Sequence, residues 1–166
     1  MRLIAIAACL TAALPAHADF ALTFRDGAPK DRFELTGMDT CGIGAAQLTI
    51  DLAGSAGGLI FDVTAEGAGV EVFQPLEVVA GRDRLSALPT VSDGDTMIQF
   101  DLSALAGDPV LAFTVDLDDT GATRQITVSG AEIAGASATI SWPTGQMTGR
   151  FDASATAILA QTACTS

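Results

Sequence analysis

The chain has 166 residues, of which 49 % are hydrophobic and 17 % charged, and its formal net charge is −12. Its one histidine, His17, lies in a leader-like segment, and tyrosine is absent; once that segment is removed, Ser-His-Asp, Cys-His and His/Cys zinc centres are all excluded. Nucleic acid, which is held by clustered Lys and Arg, and anionic membrane surfaces are excluded by the acidic balance.

In chain order, Met1-Arg2 is followed by an apolar run, then Pro15 and Ala16-His17-Ala18. Basic, apolar and small-x-small is the pattern of a secretory signal, with cleavage expected between Ala18 and Asp19. The apolar run is too short for a bilayer, which needs about 20 residues. The expected product is therefore residues 19–166, exported to the periplasm or the medium, with no membrane attachment after cleavage. Loss of Arg2 with the leader makes it one unit more acidic.

Strands are predicted at residues 20–24 and 32–36. Residues 47–52 alternate, with Leu48, Ile50 and Leu52 on one face and Thr49 and Asp51 on the other. Residues 58–64 form a continuous apolar run, the pattern of a strand buried on both faces. Short strands follow at 70–73 and 76–79, divided by Pro75. Residues 96–102 alternate again, with Ile98, Phe100 and Leu102 inward. Residues 110–129 read as a hairpin that turns at Asp119-Thr120-Gly121-Ala122, and the last strands are expected at 138–142 and 150–158. Residues 102–106 are at most one helical turn. Gly, Pro and Asp punctuate these runs at roughly 8–12-residue spacing, which predicts an all-β fold: a single antiparallel sandwich, Ig-like or jelly-roll-like with Greek-key connections, with a barrel as the alternative.

Cys41 and Cys164 remain after leader removal. In an oxidising compartment they are expected to form a disulfide, the other reading being two free thiols. Closing so long a loop is worth about 4–5 kcal/mol in the chain-entropy account.

Asp116, Asp118, Asp119 and Thr120 form the most suggestive cluster. In a strand, Asp116 and Asp118 project from the same face, and calcium would relieve their repulsion. Asp26 and Asp31 could add oxygen ligands if they share that rim, as could Asp93 and Asp95. The order Asp116-x-Asp118-x-Thr120-Gly121 copies half an EF-hand loop, but Thr127 stands where the bidentate Glu belongs, so an EF-hand is excluded. The bland alternative is a solvated acidic turn partly neutralised by Arg124. Asp119-Thr120-Gly121 also matches an aspartic-protease motif; that chemistry needs two carboxylates sharing a proton, and Asp118 would crowd the dyad. Trp142 is either a ligand-stacking platform or a packing residue, and Arg82-Asp83-Arg84 reads as a salt-paired turn.

The segments Gly27-Ala28-Pro29-Lys30-Asp31-Arg32-Phe33, Gly69-Val70-Glu71-Val72-Phe73-Gln74-Pro75 and Phe113-Thr114-Val115-Asp116-Leu117-Asp118-Asp119-Thr120 resemble small exported bacterial proteins described as aggregation-factor-core-like. So does the stretch Ile126-Thr127-Val128-Ser129-Gly130-Ala131-Glu132-Ile133. The resemblance implies a β-rich extracytoplasmic module with calcium-dependent self-association and no enzymatic activity. The expected function is therefore a non-enzymatic binding or adhesion module whose partner is a protein, a glycan or a second copy. A structural envelope protein with no small ligand and an acid hydrolase using paired carboxylates are the alternatives.

Overall fold

A computed structural model describes residues 19–37, 39, 41–64, 74–120 and 128–160. The leader, the strand expected at 70–73, residues 124–127 of the expected hairpin arm and Cys164 lie outside the described residues.

Alternation along the chain becomes two packed antiparallel sheets, the sandwich that the pattern predicts. Strands β1 (Asp19–Arg25), β2 (Asp31–Gly37), β5 (Glu77–Ala80), β7 (Leu111–Val115) and β11 (Thr156–Ala160) form one sheet, in the order β11-β1-β2-β7-β5. Strands β3 (Ala46–Asp51), β6 (Met97–Leu102), β9 (Ser137–Trp142) and β10 (Gly145–Arg150) form the other, in the order β10-β9-β3-β6. A two-stranded ribbon pairs β4 (Leu59–Phe61) with β8 (Leu117–Asp119). Strands distant in sequence lie side by side, because connections repeatedly cross from one sheet to the other.

Each alternating run sends its apolar parity into the space between the sheets: Phe20, Leu22 and Phe24 from β1, Leu48 and Ile50 from β3, Ile98 and Phe100 from β6. Phenylalanines join the layers. Phe33 stacks on Phe113, its register partner, with ring centroids 5.0 Å apart, and Phe113 meets Phe100 of the opposite sheet at 4.6 Å. All three residues of β4 are buried, as its continuous apolar run predicts.

Three expectations are corrected. Residues 150–158 are not one strand: the chain turns after Phe151, where the Asp152 carboxylate accepts hydrogen bonds from Ser154 N, Ser154 Oγ and Thr156 N. Those bonds, the Ser154 hydroxyl first, hold the Asp152 carboxyl below its ordinary pKa. Between the strands expected at 138–142 and 150–158 lies a further one, β10, an edge strand opened by Gly145 whose outward Gln146, Thr148 and Arg150 disguise it. β8 pairs with β4, a partner the sequence does not announce, and Val128 and Ser129, the end of the expected hairpin arm, fall outside any strand. Asp116 is thus the residue at which the chain leaves the five-stranded sheet for the ribbon.

The sandwich is joined along one flank. β10 runs into β11 through the Phe151↔Ala157 bridge, and a Cβ on Gly149 would overlap the Ile158 carbonyl oxygen. Strands β5 and β6 form the opposite flank. Residues 82–84 there make the short turn expected of Arg82-Asp83-Arg84, with an Arg84–Asp83 contact at 4.0 Å. Among the described residues, no helix is long and apolar enough to cross a membrane.

Candidate functional site: a buried carboxylate corner

The β1–β2 turn delivers a carboxylate to the core side of the sheet. Residue parity sets its direction: Asp31, Phe33 and Leu35 occupy the inward positions of β2. Asp31 is 2 % exposed and lies opposite Val115, beside the end of β7. Its Oδ1 accepts from Gly27 N at 3.1 Å and its Oδ2 from Leu117 N at 3.3 Å. The turn is tight enough to need glycine, since a Cβ on Gly27 would lie 2.5 Å from Lys30 O. Asp31 therefore ties this turn to the start of β8.

Asp116 sits on the other side of that tie. Its carbonyl accepts from Asp62 N at 3.1 Å. Asp62 follows β4 directly and is fully buried. Burial pushes the Asp31 carboxyl up to about 7, and the charges of Asp116 and Asp26 add to the effect against the opposing Gly27 and Leu117 hydrogen bonds. Burial also pushes Asp116 up to about 7, aided by the charges of Asp62 and Asp118. Five aspartates thus share one electrostatic neighbourhood, and a proton or a cation is favoured there.

Two nearby cations are paired outside the corner. Lys30 Nζ bonds Glu77 Oε2 at 3.1 Å, and Arg32 bonds Glu34 at 2.7 Å.

Asp31 feels the charges of Asp116 and Asp26, and Asp116 those of Asp62 and Asp118; all of these but Asp62 were singled out from sequence. Asp119 lies opposite Leu59 in the ribbon. Thr120 holds a turn, its hydroxyl donating to Gly58 O at 2.9 Å. Asp93 and Asp95 act in loop geometry: Asp93 accepts from Val63 N and Thr64 N at 2.7 and 2.8 Å, and Asp95 accepts from Ser92 N at 2.8 Å. Asp62 was missed; its signal was a single carboxylate embedded in the apolar run of residues 59–63. Among the described residues, no group of three or more His, Cys, Asp or Glu side chains stands in an arrangement that could hold a metal ion.

Cys41 is disulfide-bonded, and its partner is not among the described residues. Asp39 shapes the surrounding loop by accepting from Cys41 N at 3.0 Å and Ile43 N at 2.6 Å. Trp142 is half-buried, packed against the core, and its indole lies over Gly145.

No known protein family, curated protein or solved structure matches this chain.

Proposed function

We propose that the chain is an exported, non-enzymatic binding or adhesion module of the aggregation-factor-like kind, and that its carboxylate corner takes calcium. The observation that supports this most directly is the gathering of Asp26, Asp31, Asp62, Asp116 and Asp118 at one corner, where both Asp31 and Asp116 are driven towards the protonated form. The donors fit calcium in chemistry, all being hard oxygens. Asp116 and Asp118 would hold the ion with water completing its shell, while Asp31 and Asp26 supply field. Calcium would provide the positive charge that lets the corner ionise fully. In this reading the leader is removed between Ala18 and Asp19, Cys164 is the partner of Cys41, and the module acts in the periplasm or the medium on a protein, a glycan or a second copy.

The hydrolase alternative rests on Asp119 of Asp119-Thr120-Gly121; acid-pH proteolysis blocked by a statine-type inhibitor would support it, and inert protein at about pH 3–5 would end it.

The test is thermal melting at pH 8 with calcium and with chelator. Calcium a hundredfold above its Kd stabilises the fold by about 2.7 kcal/mol, roughly 5–10 °C at ~2–4 °C per kcal/mol. Asp116→Asn and Asp118→Asn should each abolish most of that shift. An unchanged melting temperature and no calorimetric heat at millimolar calcium would leave the envelope-protein alternative standing.

A further inference from the structure

β6 is the edge of the four-stranded sheet, and part of its backbone faces outward with no neighbouring strand among the described residues. Leu52 N donates to Thr96 O at 2.7 Å. Given the register Asp51↔Met97, Ile50↔Ile98 and Thr49↔Gln99, the even residues of β6 bond β3 and the odd ones turn their N–H and C=O away from it. The flanking bonds obey the same parity. Asp95 O accepts from Phe61 N at 2.9 Å, Asp101 O from Ser86 N at 3.2 Å, and Ser103 N donates to Arg84 O at 2.8 Å. Among the described residues the chain thus covers this edge at both ends with its own backbone and leaves the middle open at Met97 and Gln99.

A groove of about 540 Å³ lies along this edge and reaches onto the outer face of the sheet as far as Gln47 of β3, within the range of roughly 300–1,000 Å³ usual for ligand sites. Leu88, Pro89 and Thr90 form part of its lining, together with Met97 and Gln99. Leu88 and Met97 are 53 % and 47 % exposed, unusual for large apolar side chains in this molecule. The charged residues lining the groove are Asp95 and Asp101, and no Lys or Arg lines it.

We propose that this groove accepts an extended cationic peptide segment of another protein, which adds to β6 as a further strand. The Met97 and Gln99 backbones would exchange hydrogen bonds with the segment, its apolar side chains would lie against Leu88 and Met97, and its Lys or Arg would meet Asp95 or Asp101. Charge complementarity decides the occupant: a second copy of a chain with net charge −12 is repelled, and a cationic segment is attracted. A saccharide would match the polar lining but leave the outward backbone parity unused. The inference rests on reading the chain as a binding module and uses none of the corner carboxylates, so the calcium test and this one fail independently.

The purified chain, with EDTA present, is mixed with acetyl-Lys-Val-Thr-Val-Lys-amide and followed by amide hydrogen exchange. Saturation should slow exchange at Met97 and Gln99 at least tenfold and leave Ile98, already in the β3 ladder, unchanged. N-methylation of alternate peptide amides should weaken binding at least tenfold in one register and little in the other, and replacing both Lys by Glu should abolish it. Gln99→Pro removes a groove-facing N–H while leaving the β3 ladder intact, and should weaken binding at least tenfold. If that variant misfolds, the two N-methylated peptides on the unaltered chain decide the matter. The proposal is overturned by equal binding of both N-methylated peptides, by equal binding of the Glu peptide, or by no protection at millimolar peptide. It is equally overturned if cellohexaose or self-association protects these amides instead.

Discussion

Raising the pH from 5 to 8 should destabilise this protein, opposite to the trend for a carboxylate held by a salt bridge. Asp31 and Asp116 each have a folded-state pKa of about 7 against 3.8 for the ordinary group. Between those values the folded chain keeps protons that the unfolded chain has released, so stability falls as pH rises and levels off above about 7. The stabilisation is fully present below the unfolded pKa and is lost through the folded one. At ~1.36 kcal/mol per pKa unit, one such group costs about 2.7 kcal/mol between pH 5 and 7. The pair does not cost twice that, because part of the Asp31 shift is the Asp116 charge itself. A total of about 2–4 kcal/mol is expected, or a fall of roughly 5–15 °C in Tm at ~2–4 °C per kcal/mol. Asp152 does not interfere: its carboxyl is held below the ordinary value and stays ionised throughout this range. The assay is a set of circular dichroism melts in chelator at pH 5, 6, 7 and 8. Asp116→Asn removes one titrating group and the like charge facing Asp31, so it should flatten the dependence and raise Tm at pH 8. A Tm that is constant or rises towards pH 8, or a slope untouched by Asp116→Asn, refutes the reasoning.

Two further substitutions probe the frame. Gly149→Ala places a methyl against the Ile158 carbonyl where β10 meets β11; a loss of about 1–3 kcal/mol is expected in urea unfolding, and a neutral result would mean the two strands separate readily. Cys41→Ser should cost about 2–5 kcal/mol, and non-reducing mass spectrometry of the unaltered chain should show a peptide linking Cys41 to Cys164.

Much of this fold can be read from alternation because most strands have one wet face. In residues 47–52 and 97–102 the inward Leu, Ile and Phe and the outward Thr, Gln and Asp separate cleanly, and the observed burial follows that parity. β10 escaped the reading because its inward positions are Met147 and Gly149; the glycine, needed for close approach to β11, carries no hydrophobic signal. Long-range pairing was also out of reach. Nothing local in Leu117–Asp119 announces β4 as its partner, a contact between residues far apart in sequence. The candidate site was half visible. Asp116 and Asp118 stood out as a same-face pair, and Asp31 could have been recognised as inward from its parity with Phe33 and Leu35. Asp62 was passed over within a run read as continuously apolar; only the fold reveals it as a neighbour of Asp116.

The uneven flanks of the sandwich limit how it can assemble. Strand-to-strand growth into a filament requires two sticky sides on every building block, one to receive and one to offer. Here β10 meets β11 along one side, while the facing side keeps two sheet edges, β5 and a short stretch of β6 that is covered at both ends. Among the described residues an incoming strand therefore finds sheet edges on one side of the sandwich, an arrangement that works against head-to-tail growth.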